Sequence, residues 1–232
     1  MGHNDHQVGR GVSTTTPTLH FRRTTLKEVG SFIKQHHYSH TYPGSIDYCF
    51  ALDYNGSLAG AAAFGWMAGN KVGMCVLTVC NDPSRYRELM RLVLLDEVPK
   101  NSETRFVAWC LRWLRDNTDL LAIVSFADPL QGHTGVIYKA GNWIVCGEST
   151  AHDRRIFIDG KEIHPRMVVN RYGTSSRVKL AELGIVAVFR EREPKFRFVY
   201  VLRPDLREFV KDFGTKRASS KTNYRAAAQT VA

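Results

Sequence analysis

Residues 120–138 have the sequence Leu-Leu-Ala-Ile-Val-Ser-Phe-Ala-Asp-Pro-Leu-Gln-Gly-His-Thr-Gly-Val-Ile-Tyr. The stretch 120–127 is a continuous apolar run, which is the pattern of a buried central strand. Asp128 and Pro129 end that strand, and the small residues from Gly132 onward open a short helix that runs to Ala140. A strand, a polar turn and a helix in this order are typical of an α/β fold.

Other segments carry the periodicities of further strands and helices. The pair Asn55-Gly56 is a strong hairpin signal, so strands are predicted on both sides of it, at 48–52 and 58–66. Apolar faces with a period near 3.6 predict helices that start after Thr25 and near Ser102. The remaining predictions are strands at 74–79, 89–95, 143–146, 156–158, 185–189 and 196–202, and helices at 176–183 and from 204. We therefore expect one sheet of about six strands or slightly more, with helices packed on it.

The charge of the chain is unevenly distributed. Among 232 residues, 32 are Lys or Arg and 22 are Asp or Glu. Residues 1–150 hold 14 basic and 13 acidic side chains, whereas residues 151–232 hold 18 basic and 9 acidic ones. A basic excess on one part of a chain favours a polyanionic partner, although it also serves simple solubility.

The composition argues against several classes of protein. The five cysteines include no close C-x-x-C pair, so they indicate neither a disulfide framework nor a zinc ribbon, and they favour a reducing compartment. The longest uncharged stretch, 54–70, carries four glycines and does not have the pattern of a membrane span. We therefore expect a cytoplasmic protein with no membrane partner.

The two ends of the chain are polar and are predicted to flank a single domain. Residues 1–18 and 215–232 lack apolar periodicity, so both are predicted to be disordered. A single catalytic domain is expected at 19–214, with residues 150–184 as its basic segment.

Three segments combine polar, small and aromatic residues. The run His36–His40 supplies imidazoles that titrate near neutral pH or ligate a metal, although histidines at a helix C-terminus also complement the helix dipole. Asp128 follows the most apolar strand, where ligands bind in open α/β sheets, although an Asp before Pro also starts turns. Gly132–Gly135 allow close approach of an anion to the backbone, and Tyr138 follows as a candidate general acid.

These segments together resemble the phage Mom family of DNA-modification proteins. The resemblance extends over roughly residues 36–177. It is carried by His37-Tyr38-Ser39, Arg91-Leu92, Leu94-Leu95-Asp96, Pro99-Lys100-Asn101, Glu103, Ser125-Phe126-Ala127-Asp128-Pro129, Gly132-His133-Thr134-Gly135, Ile137-Tyr138, Asn142-Trp143, His164-Pro165-Arg166 and Tyr172-Gly173-Thr174-Ser175-Ser176.

The resemblance implies both a fold and a reaction. The fold is α/β, a mixed, mostly antiparallel sheet flanked by helices as in the GCN5-related N-acetyltransferases, with basic C-terminal additions. The reaction converts the N6 amine of adenine in double-stranded DNA to an acetamido or methylcarbamoyl derivative and shields phage DNA from host restriction. The adenine must be flipped out of the duplex to be reached, and Tyr38, Tyr42 and Trp143 are candidates to stack on it.

The resemblance also implies roles for individual residues. Asp128 would hold or deprotonate the amine, and Tyr138 would act as an acid or a hydrogen-bond donor. His37 and Tyr38 would complete the pocket, or bind a metal ion if one is used, and Ser125 is included among the catalytic residues. The activated acyl donor is expected to contact Lys100, Asn101, Gly132, His133, Thr134, Gly135 and Asn142.

The segment 96–102 departs from the acetyltransferase pattern. The pyrophosphate loop of that superfamily contains spaced glycines before a helix, but here the sequence is Asp-Glu-Val-Pro-Lys-Asn-Ser. Acidic residues at a helix N-terminus repel a pyrophosphate, so conventional use of acetyl-coenzyme A is disfavoured. The sequence leaves open the identity of the acyl donor, the need for a metal ion and the formation of a homodimer.

Two alternative functions remain open at this stage. One is a conventional N-acetyltransferase, which the predicted fold allows. The other is a non-enzymatic DNA-binding protein, which would leave Asp128 and the Gly132–Gly135 turn unexplained. In both the DNA-modifying enzyme and the non-enzymatic DNA-binding protein, the basic segment 150–184 would contact phosphates. Its candidate residues are Arg154, Arg155, His164, Arg166, Arg171, Arg177 and Lys179.

Overall fold

The computed structural model describes residues 17–67, 75–149, 155–191 and 194–213. The predicted disorder of 1–18 and 215–232 lies outside these residues, apart from positions 17 and 18. The described residues form ten strands: β1 (Leu19–Thr24), β2 (Ile46–Tyr54), β3 (Ser57–Gly65), β4 (Tyr86–Leu94), β5 (Ala122–Ala127), β6 (Ile144–Glu148), β7 (Arg155–Ile158), β8 (Lys161–Ile163), β9 (Ala187–Arg190) and β10 (Phe196–Val201). The α-helices are α1 (Leu26–His36), α2 (Ser102–Asn117), α3 (Val136–Ala140), α4 (Pro165–Tyr172) and α5 (Arg177–Glu182), and 3-10 helices span Pro83–Arg85, Pro129–Gln131 and Pro204–Phe209.

The main sheet has seven strands in the order β1-β2-β3-β4-β5-β10-β6. Every pair in it is antiparallel except β4 and β5, which run parallel. The predicted hairpin is confirmed, because β2 and β3 are joined at Asn55 and Gly56, both with positive φ. Two left-handed residues match the twist of the flanking strands, which is why Asn-Gly favours this turn.

Helices cover both faces of the main sheet. On one face, Phe106, Cys110 and Leu114 of α2 pack against alternate residues such as Phe50 of β2. On the other face, Val29 and Ile33 of α1 pack against the intervening residues of β2 and β3. This division follows from the period of two in a strand and confirms the predicted fold class of a mixed, mostly antiparallel sheet flanked by helices.

The parallel pair β4–β5 is short. Its register runs only from Tyr86 opposite Ala122 to Glu88 opposite Val124. Leu89 and the residues after it in β4, and Ser125 and the residues after it in β5, no longer pair with each other. The sheet therefore opens between two adjacent strands, and this opening positions the site described below.

A second, three-stranded sheet with the order β8-β7-β9 lies between β6 and β10 in the sequence. The helices α4 and α5 pack against this sheet. The five elements form a separate hydrophobic core around Ile156, Ile158, Val168 and Leu180. We call residues 155–190 the inserted unit. β6 and β10 are neighbours in the main sheet, so the inserted unit is attached to the end of a hairpin.

Several predicted elements differ from the structure. The prediction of a single sheet is wrong: the main sheet has seven strands, in line with the predicted six or slightly more, but a second sheet is present. The predicted strand at 74–79 is absent from the described residues 75–79, where Leu77 makes only an isolated bridge to Val210. The predicted helix from Pro204 is a 3-10 helix. The sequence analysis missed α4 and also β1, whose polar sequence Leu-His-Phe-Arg-Arg-Thr suits an edge strand.

All five cysteines are free thiols, four of them buried. None of the helices in the described part of the chain has the length and apolar character needed to cross a lipid bilayer.

Candidate active site

A cleft of about 580 Å³ occupies the opening between β4 and β5. One wall is formed by β4 from Leu89 to Leu94, and the opposite wall by the end of β5 together with the segment Gly132–Tyr138. His36, His37 and Tyr38 at the end of α1 close a third side. Three of the sequence segments predicted to carry chemistry therefore meet in one cavity.

Ser125 and Tyr138 meet where the β4–β5 ladder ends. Ser125 is the first residue of β5 beyond the last pair, and its Oγ lies 2.8 Å from the Tyr138 hydroxyl and 3.4 Å from the Leu89 carbonyl oxygen. Ser125 Oγ donates to the Tyr138 hydroxyl oxygen, with the Leu89 carbonyl oxygen as its more distant acceptor, so the phenolic proton of Tyr138 is left free. Burial raises the pKa of Tyr138 above its ordinary value. The phenol is consequently neutral and able to donate a proton.

Asp128 is buried and forms an ion pair. Its Oδ2 lies 3.2 Å from the Nζ of Lys195, which immediately precedes β10. The side chain of Asp128 is 4% exposed and that of Lys195 28% exposed. A buried carboxylate next to an ammonium group is stabilised in its ionised form. The pairing makes Asp128 a fixed negative charge beside the cleft.

Glu88 is a site residue that the sequence analysis missed. It occupies the last paired position of β4, next to the cleft-lining residue Leu89. Burial raises its pKa to about 7, opposed by the nearby charges of Lys195 and Arg91. Its charge in turn acts on Tyr138. A glutamate within the largely apolar run 86–95 is the sequence signal that could have identified it.

His37 is a buried, neutral imidazole. Burial, with smaller effects of Arg91, His133 and His40, lowers its pKa to about 4. Its Nδ1 accepts a hydrogen bond from the backbone N–H of Ser39 at 3.1 Å, which places the ring proton on Nε2. This arrangement suits a hydrogen-bond donor at the cleft. Nowhere in the described ranges do three or more His, Cys, Asp or Glu side chains gather as metal ligands.

Tyr38 is half exposed at the mouth of the cleft. Its ring lies 4.3 Å from the His37 ring and meets His133 edge-on at 5.6 Å, measured between ring centroids. Trp143 and Tyr42, the other two candidates for stacking on the adenine, do not lie at the mouth of the cleft. Trp143 is 5% exposed and packs between Tyr138 and Tyr200, so the prediction that it stacks on a base is wrong. The Tyr42 ring lies under the Lys34 ammonium group.

The structure leaves no room for a side chain at Gly135, whereas there is open space at Gly132. Both have a positive φ, of 76° and 72° respectively. A Cβ at Gly135 would lie 2.2 Å from Cζ of Phe198, whereas a Cβ at Gly132 would meet no atom within 4 Å. Gly135 thus lets the turn pack directly on β10, and it brings the following helix with Tyr138 into the cleft.

The residues predicted to bind the donor fall into two groups. Gly132, His133, Thr134 and Gly135 line the cleft, as expected. Lys100, Asn101 and Asn142 are exposed and are not among its lining residues. Asn142 instead accepts hydrogen bonds from Arg207, through both its carbonyl oxygen and its Oδ1 at 3.2 Å. Glu103, which the sequence analysis did not assign to the site, lines the cleft at the start of α2.

The candidate DNA-binding residues that the structure describes lie on the inserted unit. Arg155 is on β7 and pairs with Glu162, His164 precedes α4, Arg171 is at the end of α4, and Arg177 and Lys179 are on α5. Arg154 lies outside the described residues, as does the side chain of Arg166. β9 belongs to the same sheet, so Arg190 joins this basic set beyond the predicted segment 150–184.

Solved structures similar to this chain are N-acetyltransferases. One is a GNAT family N-acetyltransferase from Escherichia coli in complex with coenzyme A, with 11% sequence identity, 92% of each chain covered and a TM-score of 0.48. Another is the NAA60 protein of Arabidopsis thaliana in complex with acetyl-coenzyme A, with 10% identity, a TM-score of 0.46, and coverage of 79% of this chain and 98% of that chain.

A curated relative is the methylcarbamoylase Mom of Escherichia phage Mu. It is 30% identical over 137 residues, which are 58% of this chain. The matched part spans about half, 55%, of the length of that relative. The model of the Mom protein family matches residues 18–221, which include every element described above. The chain therefore belongs to the Mom protein family.

Proposed function

We propose that this protein is a transferase that acylates or carbamoylates the N6 amine of adenine in DNA. The observation that carries the proposal is the cleft at the end of the β4–β5 ladder in a chain of the Mom family: Tyr138 lines it, and Glu88 and Asp128 directly adjoin its lining residues Leu89 and Ala127 in sequence. The phage relative bears the name methylcarbamoylase, which supports a methylcarbamoyl group as the one transferred.

Glu88 is proposed as the proton acceptor. With a pKa of about 7, its carboxyl group is partly ionised at neutral pH and still basic enough to accept a proton. The exocyclic amine of adenine is a weak nucleophile, because its lone pair is delocalised into the ring. Removing an amine proton as the new bond forms is therefore the step that most needs a base.

Asp128 and Tyr138 are proposed to hold the amine and to protonate the leaving group. Asp128, whose carboxylate pairs with Lys195, accepts a hydrogen bond from the amine. In the transfer, the N6–C bond to the donor carbonyl forms and the bond from that carbonyl to its leaving group breaks. The amine proton goes to Glu88 and the leaving group takes a proton from the Tyr138 hydroxyl, which Ser125 orients.

Coenzyme A does not fit the usual position at the start of α2. The preceding loop has no glycine, and Asp96 and Glu97 are exposed there. Glu103 in the first turn of α2 faces the cleft. These carboxylates oppose a pyrophosphate at this helix N-terminus. We therefore leave the donor at the level of an activated carbonyl compound and place it against the Gly132–Gly135 turn.

The adenine is proposed to enter the cleft flipped out of the duplex, since its N6 atom is otherwise inside the helix. Tyr38 is half exposed at the cleft mouth and is positioned to stack on the base. The inserted unit would bind the flanking DNA through its arginines. In a phage-infected cell the product would be modified DNA in the host cytoplasm, protected from restriction enzymes that recognise unmodified adenine.

The experiment that tests this function is nucleoside analysis of DNA from cells that express the protein. Plasmid DNA is digested to nucleosides and separated by liquid chromatography with mass spectrometry. We expect a deoxyadenosine derivative heavier by the mass of the transferred group less the hydrogen it replaces, and strongly reduced in cells that express Tyr138→Phe. Only unmodified deoxyadenosine from the wild-type culture, with soluble protein present, would overturn the proposal.

A further inference from the structure

The inserted unit is attached beside the candidate active site. It begins after β6 and ends before β10, and Phe196 at the start of β10 lies opposite Ala127 at the end of β5. Ser149 and Lys195, on the two connections, are joined by hydrogen bonds of 2.8 and 3.0 Å. Lys195 in turn pairs with Asp128. The two chain segments that lead to the inserted unit are thus joined to each other and to Asp128.

The small sheet of the inserted unit has two different faces. Ile156 and Ile158 of β7 point into its core, against Val168 and Leu180 of the helices. The alternate residues of β7, Arg155 and Phe157, lie on the opposite face, which we call the outer face. There Phe157 is paired with Glu162 and Val188, and Arg155 is paired with Arg190.

The outer face carries an aromatic ring in contact with two guanidinium groups. The Cζ atoms of Arg155 and Arg190 lie 5.1 and 4.9 Å from the centroid of the Phe157 ring. Neighbouring Val188 is 53% exposed. Outward positions of an antiparallel sheet are ordinarily polar, so partly exposed Phe and Val there indicate a contact surface.

The outer face and the cleft are electrostatically connected. The carboxylate of Asp128 contributes to raising the pKa of Arg155, after the larger effect of Glu162. Arg155 on the outer face is therefore close enough to Asp128 to be influenced by its charge. Among possible occupants, the charge favours a polyanion, because the inserted unit, residues 155–190, holds seven Lys or Arg and three Asp or Glu.

We propose that the outer face of the inserted unit binds the DNA strand next to the flipped adenine, with Phe157 stacked on an unpaired base and Arg155 and Arg190 on the adjacent phosphates. Aromatic side chains on open sheets stack on bases regardless of sequence, and guanidinium groups bind phosphate through paired donors. The inference rests on the proposed function, since that function makes DNA the substrate.

The test is DNA binding without any acyl donor. Fluorescence anisotropy is measured with a labelled duplex that contains a short unpaired region around an adenine, and with a fully paired duplex. Phe157→Ala is expected to weaken binding to the unpaired duplex roughly tenfold or more, and to change binding to the paired duplex much less. Phe157→Tyr keeps an aromatic face and is expected to bind within about twofold of the wild type.

Two further variants keep the test decisive. Phe157→Leu preserves apolar volume if alanine prevents folding, and it is expected to show the same loss as alanine because it lacks an aromatic face. Met167→Ala, at an exposed site on α4, is the matched control and is expected to leave affinity unchanged. Unchanged affinity in the alanine or leucine variant, or an equal loss in the Met167 control, would overturn the inference. The inference would also be overturned if the Phe157 variants changed the oligomeric state, measured by analytical ultracentrifugation, while their DNA affinity stayed unaltered.

This result is separable from the proposed reaction. If wild-type protein modifies adenine but the Phe157 variants bind DNA normally, only the inference about the outer face fails. If the Phe157 variants lose binding but wild-type protein leaves adenine unmodified, the outer face stands and the proposed function fails.

Discussion

The Nζ atom of Lys195 lies 3.2 Å from Oδ2 of Asp128, joining the start of β10 to the end of β5 at the edge of the cleft. This pair changes the role assigned to Asp128. A carboxylate held by an ammonium group is a weak base, so it serves better as a hydrogen-bond acceptor for the amine than as its proton acceptor. Glu88, whose pKa is raised to about 7, is the better base.

Lys195→Met is expected to destabilise the protein by about 2–4 kcal/mol, because it removes the ammonium group beside a buried carboxylate. Urea unfolding monitored by circular dichroism measures the change in free energy. Lys195→Arg retains the charge and is the control. The double variant Lys195→Met with Asp128→Asn is expected to recover most of the loss; equal stability of Lys195→Met and wild type would show that the pair has no energetic role.

Glu88→Gln is expected to lower adenine modification by roughly 100-fold or more, since it removes the proton acceptor. The fraction of modified deoxyadenosine in cellular DNA gives the loss, and Glu208→Gln, at an exposed position far from the cleft, is the control. A carbon-13 titration of the wild-type side-chain carboxyl group should place the Glu88 pKa near 7. A pKa near 4.5, or full modification by the variant, would remove Glu88 from the mechanism.

The same variant is expected to alter the pH dependence of stability. A carboxyl group whose pKa is raised by folding favours the folded state below its unfolded value of 4.5, and that contribution is lost as pH rises through about 7. Glutamine does not titrate. Glu88→Gln should therefore gain stability relative to wild type between pH 5 and pH 8, by roughly 1–3 kcal/mol. Parallel unfolding curves at both pH values that show no relative gain would contradict the assignment.

Tyr138→Phe is expected to reduce modification by roughly 100-fold while costing only about 1 kcal/mol of stability, because one buried hydrogen bond is lost. Ser125→Ala removes the partner of the hydroxyl but leaves the acid in place, so its loss of modification should be smaller. Nucleoside analysis and urea unfolding give the two quantities. The reverse order of activities would assign the chemistry to Ser125.

Gly135→Ala is expected to cost about 3 kcal/mol, since it adds an unfavourable left-handed conformation to an overlap with Phe198. Gly132→Ala carries only the conformational cost of about 1 kcal/mol. Thermal and urea unfolding of the two variants measure the difference. Equal destabilisation would mean that the turn moves away from Phe198 without penalty.

Local patterns were sufficient for much of the fold. The Asn55-Gly56 hairpin, the apolar strand that ends at Ala127 and the short helix before Gly141 all depend on neighbours in sequence. The hairpin and the strand are confirmed within one or two residues, whereas the helix ends where predicted but begins four residues later, at Val136. The edge strand β1 was missed because edge positions admit the polar residues His20, Arg22 and Arg23.

The segments around His37, Asp128 and Gly132–Tyr138 could be chosen from the sequence, because small, polar and aromatic residues there follow the ends of regular elements. Glu88 and Lys195 could not be chosen in this way. Each acquires its role through a partner distant in sequence: Glu88 through the point where β4 and β5 separate, and Lys195 through the Asp128 carboxylate.

The amino-acid sequence on its own established the fold class, the family resemblance, the segments that line the cleft and the basic excess of the last third of the chain. These properties follow from local propensity, periodicity and composition. Only the folded chain shows how the cleft is assembled, that Lys195 pairs with Asp128, and that one sheet face carries Phe157 in contact with two arginines. Strand order and register bring together residues that no local pattern links, and burial then sets their charges.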